Sequence, residues 1–216
     1  MATCCQCQGI ESQFGRETAE RELRRFRRRG PIRSTRRLID ALRAAGIRGA
    51  SLLDIGGGVG AIHHLLLAAG ATTAFHVDAS ASYIDAARDE AGRRGHANRV
   101  LFLHGDFVQW AADIPDADVV TLDRVICCYP DMPALVAHAA DKARRLVGAV
   151  YPPDVWWMRL GVRTINAIMR MRHSAFRVFV HSPSAIESVL RSHGLARVDR
   201  RRTLVWEIAV FARTPS

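Results

Sequence analysis

The chain has 216 residues, of which 49% are apolar and 24% are charged, so it is long enough to bury the core of a single globular domain. The formal net charge is +10, but Lys142 is the only lysine among 31 basic residues. An arginine bias of this kind is typical of a GC-rich genome, and the charge is therefore weak support for a nucleic-acid partner. Apolar runs fall short of the roughly 18 residues of a membrane span, and no signal-peptide pattern opens the sequence. We expect a cytoplasmic protein whose five cysteines are reduced thiols.

The N-terminal region is rich in cysteine and arginine. Ten arginines lie between Arg16 and Arg37, and the apolar residues Ala19, Leu23 and Phe26 repeat at helical spacing. Gly30-Pro31 ends this predicted helix. We predict an N-terminal Cys/Arg-rich helical cap over residues 1–34, before a main domain over residues 35–216, and keep an RNA-binding arm as the alternative.

A cysteine tract, Cys4, Cys5 and Cys7, precedes the arginines. It lacks a second cluster at zinc-finger spacing, so we predict no metal. A site would need partners brought close by folding, either the pair Cys127 and Cys128 or the pair His63 and His64.

Short apolar runs alternate with amphipathic stretches over residues 51–151, a pattern typical of a parallel sheet covered by helices. The predicted strands are Ser51 to Ile55, Ala74 to Asp78, Val100 to His104, Val119 to Asp123 and Leu146 to Tyr151. The predicted helices are Ile62 to Ala69, Ser82 to Arg94 and Pro133 to Arg145. The pattern indicates an α/β fold.

Beyond Tyr151 the pattern changes. We predict one helix over residues 154–172, a second from Ser184 to His193, and two strands that form a terminal hairpin, Ala196 to Arg202 and Leu204 to Ala212.

The segment "LLDIGGGVG", Leu52 to Gly60, follows a strand and opens a helix, and two nucleotide cofactors fit it. Gly56-x-Gly58-x-x-Ala61 with Asp78 further on satisfies the dinucleotide fingerprint. Asp54-x-Gly56-x-Gly58-x-Gly60 is the loop that binds S-adenosylmethionine in methyltransferases. Dinucleotide enzymes usually carry an apolar residue at the place of Asp54, and an anion there suits the ammonium of a methionine, so S-adenosylmethionine is favoured.

Four segments, in order, resemble the motifs of class I S-adenosylmethionine-dependent methyltransferases over residues 35–213. The resemblance implies that Asp54 and the backbone of Gly56, Gly58 and Gly60 surround the methionine end of the cofactor. It also implies a Rossmann-like, seven-stranded, mostly parallel sheet with strand order 3-2-1-4-5-7-6.

The other three segments imply the remaining cofactor contacts. In "FHVDAS", Asp78 would accept hydrogen bonds from the ribose hydroxyls, with Ala79 beside it. In "HGDF", Asp106 would bond the adenine amino group and Phe107 would lie against the ring. Asp123, at the end of the strand in "DVVTLDRVICCYP", would face both cofactor and acceptor. Taken singly, Asp78 and Asp106 are equally typical of helix N-caps.

Methyl transfer is an in-line displacement at a sulfonium methyl, for which an enzyme mainly supplies alignment and a preorganised site. A general base is needed only for a weakly acidic acceptor. The candidate catalytic residues are Tyr129, Asp123, His104 and Cys128. Tyr129 comes first, because its phenol falls where a loop covers the acceptor; Cys128 is also typical of a small buried residue.

The segments "VICCYPD" and "RLVGAVYPPD" are similar to the magnesium-protoporphyrin O-methyltransferase group, which esterifies a porphyrin propionate. That group commonly has His before the Tyr-Pro pair, where this chain has Cys128, and a thiol is a poor replacement for an imidazole. The resemblance therefore predicts the class and not the acceptor.

The predicted helix over 154–172 is basic and amphipathic. Arg159, Arg163 and Arg170 share one face, and the residues on another are apolar, namely Trp157, Leu160, Ile168 and Met171. Such a helix either covers the sheet, closes over a flat acidic substrate, or makes peripheral membrane contact. We predict methyl transfer to an oxygen of an apolar or acidic small molecule, with RNA methylation or a non-catalytic cofactor-sensing role as alternatives.

Overall fold

A computed structural model describes residues 5–214 of the chain, and the side chains of residues 9–214. These residues form one seven-stranded sheet in the order 3-2-1-4-5-7-6, as predicted. The strands are β1 (Ser51–Ile55), β2 (Thr73–Asp78), β3 (Val100–His104), β4 (Ala117–Asp123), β5 (Ala143–Tyr151), β6 (Leu195–Arg202) and β7 (Glu207–Arg213). Neighbours among β1 to β5 run parallel, whereas β7 is antiparallel to both β5 and β6.

Helices cover both faces of the sheet, as the alternating pattern predicts. They are α1 (Cys5–Gln13), α2 (Arg16–Arg29), α3 (Arg33–Ala44), α4 (Ala61–Ala68), α5 (Ala81–Arg93), α6 (Phe107–Trp110), α7 (Met132–Lys142), α8 (Trp156–Met171) and α9 (Pro183–Ser192). None of the helices within residues 5–214 is long and apolar enough to cross a membrane.

The main differences from the sequence prediction concern α7, the terminal hairpin and α3. The predicted helix from Pro133 to Arg145 ends at Lys142, because β5 already begins at Ala143. The second hairpin strand begins at Glu207 rather than Leu204, which is exposed in the turn. Helix α3 was not predicted, and the proposed division between residues 34 and 35 falls within its first turn.

Helix α3 is amphipathic, and its apolar side chains lie on the sheet. Leu38 and Leu42 are fully buried. A methyl group added at Gly148 of β5 would lie 2.9 Å from Leu38 Cδ1, so the missing side chain lets the helix approach the strand closely. The contact places the first turn of α3 near the carboxyl end of β4.

Helix α2 is joined to α5 by an apolar contact and by ion pairs. Phe26 and Leu23 are buried in a cluster with Tyr83 of α5. Arg27 Nε lies 2.8 Å from Glu90 Oε2, and its Nη2 lies 2.7 Å from Asp89 Oδ2. The positive charge of Arg27 is therefore neutralised by carboxylates of α5.

Helix α8 faces solvent over much of its surface. Val162 is buried, but Trp156, Leu160 and Met171 are 76%, 57% and 73% exposed. The interpretation of this helix as a cover over the sheet is therefore wrong, and its apolar and basic stripes are open to a partner.

Candidate active site

The glycine loop between β1 and α4 has a backbone that requires glycine. Gly56, Gly58 and Gly60 have φ angles of 59°, 56° and 78°, in the left-handed region that side chains disfavour. A Cβ at Gly56 would also lie 2.4 Å from Cγ2 of Val125. The three glycines of the predicted motif are therefore required by the backbone conformation of the loop.

A cavity of about 330 Å³ lies beside this loop, where the carboxyl ends of the parallel strands meet. This edge is where open α/β sheets bind ligands. The cavity brings together most of the residues that the sequence singled out: Gly56, Gly58, Asp78, Ala79, Asp106, Phe107, Asp123, Cys128 and Tyr129. Asp54, Gly60 and His104 are not among its lining residues.

Asp78, at the end of β2, is held in place by two backbone donors. Its Oδ2 accepts from the Gly58 N–H and its Oδ1 from the Ser80 N–H, both at 2.9 Å. Burial raises the pKa of Asp78 to about 6, and the bonds from Ser80 and Gly58 oppose that rise. Ser80, rather than Asp78, is the N-cap of α5 and accepts from the Tyr83 N–H. The carboxylate is therefore fixed at the cavity wall.

Asp106 follows β3 and caps α6, accepting from the Val108 N–H at 3.0 Å. The hydroxyl of Tyr129 also donates to Asp106, 3.0 Å from Oδ2. Phe107 is buried beside them and lines the cavity. Tyr129 was predicted to lie at the acceptor and Asp106 at the adenine. The structure places the Tyr129 phenol against the Asp106 carboxylate.

Asp123 and Arg124 end β4. Asp123 Oδ2 accepts from Thr35 Oγ1 of α3 at 2.6 Å, and burial raises the pKa of its carboxyl. Arg124 has a φ of 64°, and its Nε lies 3.6 Å from Asp123 Oδ1. The sequence did not single out Arg124, because nothing distinguishes it from the other arginines of the chain. In the structure, Arg124 is a cation in the cavity wall.

Two adjacent thiols lie in the same wall. The Sγ atoms of Cys127 and Cys128 are 3.8 Å apart, and Cys127 Sγ is 3.3 Å from the carbonyl oxygen of Arg124. Within the described residues, neither thiol is part of a disulfide. The hydrogen bond from Cys127 lowers the pKa of the Cys128 thiol, against the effect of its burial. The thiols of Cys4, Cys5 and Cys7 lie outside the described side chains.

The segment over residues 174–182 closes the cavity, and sequence reasoning did not find it because it has no periodic pattern. Its Phe176 and Val178 line the cavity. The Phe179 N–H donates to the Cys127 carbonyl oxygen at 2.8 Å, and His181 Nε2 lies 3.0 Å from the Tyr129 carbonyl oxygen. The segment is thus fastened to the loop that follows β4.

Helix α1 completes the enclosure with Ile10 and Phe14. The rings of Phe14 and Phe176 meet edge to face at 5.4 Å. A Cβ at Gly9 would lie 2.4 Å from the backbone nitrogen of Phe176, so Gly9 allows the close approach of helix and segment. The N-terminal helices therefore contribute an apolar wall to the cavity.

Asp54 and His104 lie elsewhere. Asp54 is buried beneath the glycine loop, where its Oδ1 accepts from Thr121 Oγ1 at 2.7 Å and its Oδ2 lies 2.9 Å from His63 Nδ1. Asp54 also lines a smaller pocket with Gly57 of the glycine loop and Asp123, so its contact with the cofactor stays a prediction. His104 is exposed, 3.2 Å from the Ala79 carbonyl oxygen and 3.7 Å from Glu11, and the structure does not bring it to the cavity.

The family comparison and the fold agree. Residues 52–146, from the first strand to the fifth, match the family model described as a methyltransferase domain. The match therefore shows a methyltransferase domain over these residues, and the 3-2-1-4-5-7-6 sheet has the strand order predicted for the class I methyltransferase fold.

Among solved structures, the chain resembles magnesium protoporphyrin IX methyltransferase from Synechocystis PCC 6803 with bound SAH, at 20% identity and a TM-score of 0.75, over 97% of this chain and 100% of that one. The same protein with bound SAM gives a TM-score of 0.71 at 19% identity, over 99% and 100% of the two chains.

Two further structures are similar in fold. An O-methyltransferase family protein from Burkholderia thailandensis matches at 18% identity and a TM-score of 0.70, over 95% of this chain and 63% of that one. The [4+2]-cyclase SpnF matches at 14% identity and a TM-score of 0.61, over 82% and 80%. No curated protein matches the sequence. Likeness at this level shows the fold and leaves the acceptor to be argued from the site.

Proposed function

We propose that this enzyme transfers the methyl group of S-adenosylmethionine to an oxygen of a small, largely apolar molecule that carries an acidic group, and that this oxygen belongs to a carboxylate. The observation that carries the proposal is the composition of one continuous cavity. Fixed carboxylates and the glycine loop line one part of it, and apolar side chains with one cation line the rest.

The first part suits the cofactor. We assign the two ribose hydroxyls to Asp78, since a carboxylate that accepts two backbone bonds retains lone pairs for further donors. Asp106 and Phe107 would hold the adenine, with Tyr129 closing over them. The methionine end would then extend along the backbone of Gly56 and Gly58 toward Asp123.

The second part suits the acceptor. Ile10, Phe14, Phe176 and Val178 give an apolar wall, and Arg124 offers a guanidinium that can orient a carboxylate. A carboxylate is ionised at neutral pH, so its oxygen attacks the methyl carbon without a base. A methyl ester forms as the carbon–sulfur bond breaks, and its electron pair stays on the sulfur of S-adenosylhomocysteine. Asp123 and Cys128 would then position the reactants rather than remove a proton.

Helix α8 supports a contact with a membrane surface. Trp156, Leu160 and Met171 are exposed, and Arg159, Arg163 and Arg170 are exposed on the same helix. Apolar side chains next to cations suit the boundary between acyl chains and anionic headgroups. Asn166 of this helix bonds the backbone of Val178 in both directions, at 2.7 and 2.9 Å, so α8 is linked to the wall of the acceptor site.

The test is transfer of a labelled methyl group to separate pools of porphyrin carboxylic acids and of total RNA. We expect label in the carboxylic acids, released as methanol by mild alkali because esters are base-labile. Label in RNA would contradict the proposal, as would alkali-stable label. Binding of S-adenosylhomocysteine without transfer to either pool would favour the non-catalytic alternative.

A variant pair tests the orienting cation. Arg124→Gln should raise KM for the carboxylic acid about tenfold or more and leave KM for S-adenosylmethionine within about twofold, because one charged hydrogen bond to the acceptor is worth roughly 1.5–3 kcal/mol. Arg88→Gln, at an exposed position of α5, is the matched control. Equal acceptor KM values for the two variants would refute the role of Arg124.

A further inference from the structure

A cluster of buried histidines lies against the glycine loop and outside the lining of the cavity. His63 and His64 come from α4 and His76 from β2, and all three are fully buried. Histidines in a protein core normally have hydrogen-bond partners for both ring nitrogens. Within the described part of the chain, the Nε2 atoms of these three rings have none, so the polar contacts of each ring are made through Nδ1.

We propose that Asp54, His63 and His76 bind a zinc ion, in a site that holds the glycine loop in place. One ligand atom from each residue lies within 4.8 Å of the other two. Asp54 Oδ2 is 2.9 Å from His63 Nδ1, and that nitrogen is 3.4 Å from His76 Nδ1. Ligands at about 2.0–2.1 Å from a tetrahedral zinc ion are roughly 3.3 Å apart, so the two separations from His63 Nδ1 are already close to the spacing that the ion imposes.

The donor atoms are of the types that zinc accepts. Asp54 Oδ2, His63 Nδ1 and His76 Nδ1 face one another, with separations of 2.9 and 3.4 Å between His63 Nδ1 and the other two atoms. Imidazole nitrogen and carboxylate oxygen are both zinc ligands, and a cation between the three atoms would be bound by all of them.

The surroundings supply the other features of a built site. Thr121 Oγ1 donates to the second oxygen of Asp54 at 2.7 Å, which fixes the carboxylate as outer partners of metal ligands do.

Gly57 gives an independent indication. Its φ is not positive, so its backbone does not call for glycine. A Cβ there would lie 2.6 Å from His76 Nδ1 and 2.7 Å from Asp54 Oδ2. The missing side chain keeps the loop directly over the ligand atoms, and the ion would therefore stabilise the same loop that lines the cofactor cavity.

Metal analysis of the full-length protein tests the proposal. After loading with Zn²⁺ and removal of free metal, we expect roughly one zinc ion per chain. His76→Gln should lose it, whereas His138→Gln on α7 should retain it. A wild-type protein without zinc, or zinc retained by His76→Gln, would overturn the proposal.

A second measurement decides the matter if His76→Gln does not fold. Anomalous diffraction at the zinc edge, on crystals of the wild-type chain, locates the ion directly. We expect the peak between Asp54, His63 and His76, and a peak at any other place, or none, would overturn the proposal. Removal of the ion by a chelator should also weaken binding of S-adenosylhomocysteine about tenfold, restored by added Zn²⁺.

Discussion

Asp78→Asn is the substitution that tests the cofactor site most sharply. The two oxygens of Asp78 each accept a backbone N–H at 2.9 Å, one from Gly58 in the glycine loop and one from Ser80 at the start of α5. Asparagine has one acceptor oxygen and turns an NH₂ group toward one of these donors. The variant therefore loses the negative charge offered to the ribose and one bond that fixes the wall of the site.

The expected loss can be estimated from these bonds. A hydrogen bond to a charged group contributes about 1.5–3 kcal/mol, and two ribose hydroxyls depend on this carboxylate. We expect binding of S-adenosylhomocysteine to weaken by about 3 kcal/mol, which is roughly a hundredfold in Kd. Isothermal titration calorimetry measures it directly, with Asp85→Asn on the exposed face of α5 as the matched control.

Two results separate the explanations. A folded Asp78→Asn that binds S-adenosylhomocysteine within threefold of the wild type would refute the ribose assignment. Equal losses in Asp78→Asn and Asp85→Asn would refute the specific role of Asp78 and indicate a general effect of charge on α5.

Other substitutions test the remaining parts of the account. Tyr129→Phe removes the bond to Asp106, and we expect weaker S-adenosylhomocysteine binding, about fivefold in calorimetry, with a normal thermal midpoint; unchanged affinity would contradict the closing role. Gly58→Ala forces a side chain into the left-handed region at φ 56° and should lower the free energy of unfolding by about 1–2 kcal/mol in urea titration, whereas Gly92→Ala on α5, with open space around it, should not. Burial raises the pKa of Glu90, but bonds from Arg93, Arg27 and Arg94 outweigh it and hold the pKa at about 2. Because the folded value is depressed, this stabilisation is present above pH 4.5 and is lost as pH falls toward 2, about 1–2 kcal/mol in all once solvent screening is included; Glu90→Gln should remove most of that pH dependence, and an unchanged acid-unfolding curve would refute it.

Strands β1 to β5 could be predicted closely because each contains a short apolar run. β1 and β3 have the predicted bounds, and the residues that follow them line the cavity. The start of β5 was missed because Arg144 and Arg145 are exposed strand residues that continue the charged pattern of the preceding helix.

The acceptor half of the site could not be predicted in the same way. Its wall depends on contacts between distant parts of the chain, such as Gly9 of α1 against Phe176. Asp54 is a second residue whose surroundings the sequence could not predict. The motif predicts a cofactor contact, but burial beside His63 and Thr121, which only the fold brings together, engages its carboxylate beneath the loop.

The most direct test of the central claim is a crystal structure of the enzyme with bound S-adenosylhomocysteine. The account predicts ribose hydroxyls within hydrogen-bond distance of Asp78, the adenine amino group at Asp106, and the sulfur directed toward the part of the cavity lined by Arg124 and Phe176. S-adenosylhomocysteine bound outside this cavity, or inside it with the adenine at the Phe176 wall, would contradict the account.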